Sequence, residues 1–141
     1  MVTPLMYSAA LDTPANRKFA AEYRKKFGKI PFYFSETCYT SGRWIAEAAK
    51  VVGGRVEDRE KFMAAFRTVE IPDAPRGPLK LDQWGNPVQN IYVRKVERVG
   101  GKLQNTVILT FPSVSQFWTY KPADFLKNPV YSRDYPPCTK C

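Results

Sequence analysis

Apolar positions change their spacing twice along this chain. From Phe19 to Val52 they recur every three or four residues, from Val69 to Phe111 they alternate, and beyond Pro112 no period survives. The first pattern predicts amphipathic helices and the second predicts strands exposed on one face. Tyr7 to Leu11 is a short apolar run that predicts a strand. Thr13 is a good N-cap, with Pro14 at the first helical position. Phe19, Tyr23 and Phe27 follow at intervals of four and stack on one helix face. Gly28 closes that helix in the left-handed position, and Pro31 prevents its resumption. After Phe32, Tyr33 and Phe34, a second helix is predicted over residues 35–52. Its stripe of Cys38, Gly42, Ile45, Ala46, Ala49 and Val52 is small enough to lie close against a sheet, with Cys38 a buried free thiol. Gly53 and Gly54 stop it.

A third helix begins at Asp58, with Phe62, Met63 and Phe66 as its apolar face. The alternating pairs Val69/Ile71 and Leu79/Leu81 then predict short strands, and residues 82–86 a turn. A longer strand over residues 88–96, the turn Gly100-Gly101 and a return over 103–111 form a hairpin. From Pro112 onward the chain carries five prolines and six aromatics. Proline at that density excludes regular strands, whereas disordered tails are poor in aromatics. The expected behaviour is a tail wrapped on the protein's own surface, with one helical turn near Pro122.

Composition narrows the function classes. The chain has 141 residues, enough for one domain with a sizeable core. Hydrophobic residues make up 44% and charged residues 25%, an ordinary globular balance. Histidine is absent, which removes His triads, imidazole acid–base catalysis and His metal sites. The net charge of +9 includes the cluster Arg24, Lys25, Lys26 and Lys29. That cluster suits the C-terminal end of a helix dipole and also suits an anionic partner, so a small basic nucleic-acid or protein interaction module is one reading. Cys138 and Cys141 form a C-x-x-C, so a redox protein is another. A thioredoxin-like dithiol needs a helix start after a strand, however, and here the motif follows Pro136 and Pro137. A closed zinc site needs four ligands, and only Cys38 is left over. Glu70 and Asp73 are the nearest thing to a carboxylate pair, and nothing beside them suggests hydrolysis. No catalytic residue, cofactor or metal is implied. The first residues, MVTPLMYSAALDTP, lack the basic start and apolar core of a signal peptide. That fits a cytoplasmic protein, or a chain whose signal lies in a longer parent.

The ordered set DTPANRKFAAEYRKKFGKIP, the aromatic-led helix with Tyr39 ending in AEAAKVVGG, FRTVEI, GPLKLDQWGNP and the pair NIYVRKVE…GGKLQNTVI resembles type I periplasmic solute-binding proteins. The nearest group is the branched-chain amino-acid (Leu/Ile/Val) family of ABC transporters. The tail resembles an extension in a branch whose members also take aromatic carboxylates. The resemblance implies an α/β fold, a C-terminal fragment of a two-lobed clamshell whose lobes carry mostly parallel sheets. Residues 1–111 would be part of that fold, and 112–141 a Pro/aromatic-rich extension packed on the surface. It further implies a non-enzymatic, periplasmic, substrate-binding component that works with an ABC permease and needs no nucleic acid. Phe34 matches by position the aromatic that packs on the ligand, with Tyr33 and Glu36 beside it. Glu36 also sits in a first helical turn, where a carboxylate is favourable for dipole reasons alone. A Cys138–Cys141 disulfide would fit the periplasm. A fragment of such a sheet leaves edges unpaired, so self-association into a homo-oligomer, in the form of a strand-exchanged dimer, is expected, as is weak or absent solute binding by the chain alone.

Overall fold

A computed structural model describes residues 1–132, 134 and 135. The elements run β1 (Val2–Leu5), α1 (Pro14–Phe27), α2 (Tyr33–Val51), α3 (Arg59–Thr68), β2 (Leu79–Leu81), β3 (Pro87–Val99), β4 (Lys102–Val114) and α4 (Pro122–Phe125). Three helices thus precede most of the sheet, as the change of period requires. The long strand β3 organises that sheet. β4 pairs along one side of it, while β1 and β2 share the other. Every pairing is antiparallel, so the mostly parallel sheet expected of a whole lobe is not built by these strands.

Local chemistry sets the helix ends. The Thr13 hydroxyl accepts from the Asn16 N–H at 3.1 Å, and Gly28, at φ 67°, donates its N–H to the Arg24 carbonyl. Asp58 caps α3 through the Lys61 N–H at 3.2 Å, and the Lys61 ammonium, 2.7 Å from its Oδ2, together with that N–H holds its carboxyl below the usual range. Gly100 and Gly101 both have positive φ, as a tight two-residue hairpin turn demands.

Two apolar clusters form the core. One gathers Trp44, Ala48, Val69, Ile71, Ala74 and Leu79, and joins α2 and α3 to the β2 edge. Trp44 adds a hydrogen bond from its indole N–H to the Phe66 carbonyl at 2.8 Å. The other gathers Tyr7, Leu11, Phe19 and Tyr92 beneath α1.

Two expectations are corrected. The first strand is Val2–Leu5, and residues 7–11 are irregular. The buried Asn16 side chain replaces a strand ladder there. Its Nδ2 donates to the carbonyls of Leu11 (2.8 Å) and Ala9 (3.2 Å), and its Oδ1 accepts from the Tyr7 hydroxyl (2.9 Å). Second, α2 buries Glu36, Thr40, Trp44 and Ala48 rather than the small-residue stripe. Ile45 is 54% exposed, and Cys38 is an exposed free thiol rather than a buried one. Cys138 and Cys141 lie outside the described residues.

β4 continues through Pro112 to Val114. Beyond it Phe117 is buried against Trp84 of the β2–β3 turn and against Phe125, at 4.7 and 5.6 Å between ring centroids. Gln116 ties the same segment to Asp82 at 3.1 Å. Trp118 and Tyr120 remain exposed. Among the described residues no helix is long and apolar enough to cross a membrane, and no group of three or more metal-ligating side chains converges.

Candidate functional site

The Gly28–Pro31 turn delivers the chain to α2 through three consecutive aromatic residues. Phe32 is the N-cap of α2, and the Ser35 hydroxyl reaches back toward its N–H at 3.5 Å while donating to the Tyr23 hydroxyl at 3.0 Å. That link ties the entry of α2 to α1. Tyr33 lies against the Tyr7 cluster and is partly buried. Phe34 stacks on it with centroids 4.0 Å apart and planes 35° apart. Phe32 meets Phe34 edge-on at 5.7 Å. Phe32 and Phe34 are 55% and 56% exposed. The three rings therefore form a ledge, anchored on one side by Tyr33 and open on the other.

Glu36, two residues after Phe34, faces the opposite side of the helix, as a 3.6-residue period dictates. It is fully buried. Its Oε2 accepts from Arg76 Nε at 2.5 Å and its Oε1 from the Thr40 hydroxyl at 2.6 Å. Arg76, also buried, donates from Nη1 to Gln89 (2.9 Å) and from Nη2 to Thr37 (2.5 Å). Its carbonyl accepts from the Tyr92 hydroxyl at 2.6 Å, and Asn90 Nδ2 donates to that same hydroxyl. This network locks the first turns of α2 to β3. Of the sequence-predicted trio, the structure brings Phe34 and Tyr33 together on the open ledge and places Glu36 in the core, where Arg76 and Thr40 occupy its carboxylate.

Burial pushes the Tyr7 hydroxyl well above the ordinary phenol range and raises that of Tyr92, with the Glu36 charge adding to both rises. Gly77, at φ 98°, passes close to this network. A Cβ there would stand 2.9 Å from Asn90 Nδ2 and 3.0 Å from the Tyr92 oxygen. Sequence reading missed Arg76, Gln89 and Tyr92. The only available signal was the i, i+4 spacing of Glu36 and Thr40, since Arg76 is 40 residues away from Glu36.

Beneath the ledge a cleft of about 710 Å³ opens between the Tyr7–Ala10 loop, the Ile30–Tyr33 turn and the far end of the β3–β4 hairpin. Arg24, Arg94 and Lys102 all line it. Arg94 is held by the Tyr7 carbonyl at 2.8 Å and the Thr3 hydroxyl at 3.0 Å.

The comparisons with known proteins bear on these features together. A family model for periplasmic binding proteins matches residues 1–102. A Leu/Ile/Val-binding protein homologue of Brucella abortus is 32% identical over 115 residues, spanning 79% of this chain and 29% of that protein. A solute-binding protein of an ABC transporter from Rhodopseudomonas palustris BisB5, solved with 3,4-dihydroxybenzoic acid, superposes with a TM-score of 0.77 at 38% identity. That match covers 82% of this chain and 31% of the other. A second Rhodopseudomonas palustris solute-binding protein, solved with benzoate, gives 0.72 at 32% identity over the same shares. The chain therefore spans less than a third of the length of the relatives it matches. Helices α1 to α3, the ledge and strands β1 to β3 all lie within residues 1–102, and on that match the chain belongs to the periplasmic binding protein family.

Proposed function

We propose that this chain is part of the periplasmic substrate-binding component of an ABC transporter for an apolar, carboxylate-bearing solute, either a branched-chain amino acid or an aromatic acid. The observation that carries the reading is the open ledge of Phe32, Tyr33 and Phe34. Exposed rings held in a fixed arrangement offer an apolar wall to a side chain or a benzene ring. The likeness to proteins solved with benzoate and dihydroxybenzoate supports an aromatic acid, and the Brucella relative supports a branched-chain amino acid. Phe34 is the ligand-facing residue, Tyr33 positions it, and Glu36 acts from the core by fixing the helix that carries both. Solute delivery to a membrane permease follows from the same reading. The ledge is one wall of a site, so the chain alone binds such solutes more weakly than micromolar, and it self-associates through its unpaired strand edge.

The test is a chimera in which this chain replaces its counterpart in the Rhodopseudomonas palustris BisB5 protein. Calorimetric titration with 3,4-dihydroxybenzoate and with leucine should give micromolar binding of one of them, and Phe34→Ala should weaken it about tenfold, equivalent to ~1.4 kcal/mol. A folded chimera that binds neither solute, or one whose affinity ignores Phe34→Ala, would overturn the proposal.

A further inference from the structure

Under the aromatic ledge, the cleft of about 710 Å³ has a size and a charge that point to one chemical class of occupant. Small-molecule sites typically enclose roughly 300–1,000 Å³. This one is bounded on one side by Tyr7, Phe32 and Tyr33, and it also carries Arg24, Arg94 and Lys102 with no Asp or Glu among its lining residues. Three cations without a carboxylate in one concavity make a positive potential that low-dielectric walls concentrate.

Arg94 is the most constrained of the three. Its two bonds, to the Tyr7 carbonyl and the Thr3 hydroxyl, fix the guanidinium between β1 and the following loop. Those bonds use only two of its five N–H donors. Its Nε is buried with no hydrogen-bond partner among the described residues, and desolvation lowers its pKa. A partly buried guanidinium with donors to spare is stabilised by an anion, since a charge-assisted bond offsets the desolvation. Arg24 sits in the last turn of α1 and Lys102 opens β4, so they add charge at the margins of the cleft.

We propose that this cleft is the anion-binding half of the solute site, taking the carboxylate of an aromatic acid toward Arg94, with Arg24 and Lys102 as outer cations and the ring against Phe32 and Tyr33. The inference rests on the ledge reading and extends it, because Tyr33 belongs both to the ledge and to the cleft lining. It selects an aromatic carboxylate over a zwitterionic amino acid, whose ammonium group would meet three cations.

Isotope-labelled chain, all 141 residues, is titrated with benzoate and with neutral benzyl alcohol while amide and arginine side-chain signals are followed. Millimolar benzoate should move the signals of Tyr33, Arg94 and Asn105, all of which line the cleft, and benzyl alcohol should bind at least fivefold more weakly. Arg94→Met removes contacts that also hold β1, so the exposed pair Arg24→Gln with Lys102→Gln carries the decision. That double variant should weaken benzoate binding about fivefold and leave benzyl alcohol unchanged. Equal binding of benzoate and benzyl alcohol, or benzoate shifts confined to Phe34, would overturn the cleft assignment while leaving the ledge standing. A chimera that fails to bind solute while benzoate still moves the cleft signals would instead overturn the ledge reading.

Discussion

A carboxylate and a guanidinium in the core each depend on the other, and Glu36 with Arg76 is the sharpest case in this molecule. Both are almost completely buried, and every charged end has a partner in Thr40, Thr37 or Gln89. Replacing such a pair by well-packed apolar residues is often neutral, whereas removing one member leaves an uncompensated buried charge at a cost of roughly 3–5 kcal/mol. Against a total stability of about 5–15 kcal/mol for a domain, that is a large fraction. Glu36→Ala should therefore lower the urea midpoint steeply or abolish folding. The double variant Glu36→Leu with Arg76→Met should recover most of the loss. A Glu36→Ala protein as stable as the parent would show that the pair does not anchor α2. The sequence marked Glu36 as a first-turn carboxylate beside Phe34 and not as half of an ion pair, because its partner enters from a loop that no local pattern connects to it.

Elements were legible where their determinants are local. Thr13, Pro14 and Gly28 bracket α1 within a residue of the observed ends, and Asp58 does the same for the start of α3. The misreadings share one cause, which is side chains acting at a distance. Residues 7–11 look like a strand until Asn16 is seen to satisfy their carbonyls, and α2 looks apolar on its small face because the buried face holds the polar Glu36 and Thr40. Phe34 entered the sequence reading through its position in the resembled family, and the structure sets it in the first turn of α2, exposed beside Phe32. The cleft was not legible, since Arg24, Arg94 and Lys102 meet only through the fold. The β3–β4 hairpin offers a clean test at this scale. Gly100 has φ 55°, and a side chain added there would meet nothing within 4 Å of its Cβ. Asparagine accepts that conformation readily. Gly100→Asn should stabilise the chain by about 0.4–1 kcal/mol through loss of unfolded-state freedom, read as a raised thermal midpoint. A lowered midpoint would mean that the turn is not of the tight type with both central φ values positive.

For the whole molecule, the question is what covers β4. Among the described residues this strand pairs only with β3, so its outer side has no strand partner, although the Ser8 hydroxyl donates to the Asn105 carbonyl at 2.5 Å. From Leu103 to Val114 it carries no charged residue, and Leu103, Ile108 and Leu109 are each more than half exposed. Natural edge strands are usually blunted by lysine, bulges or short length. Here a bulge does interrupt the register near Ile108, but the stretch from Lys102 to Val107 stays regular. A second copy of this chain offers the same stretch in the antiparallel sense, which a two-fold dimer requires. The net charge of +9 opposes that approach, and added salt screens the repulsion. Light scattering behind size-exclusion chromatography should therefore give a dimer at micromolar concentration, strengthened by salt. Leu103→Lys with Leu109→Lys should return it to monomer by placing like charges along the edge. A parent chain that elutes as a clean monomer at these concentrations, with or without salt, would remove strand-edge pairing from the account and leave the exposed faces of α2 and β4 to partners other than its own copy.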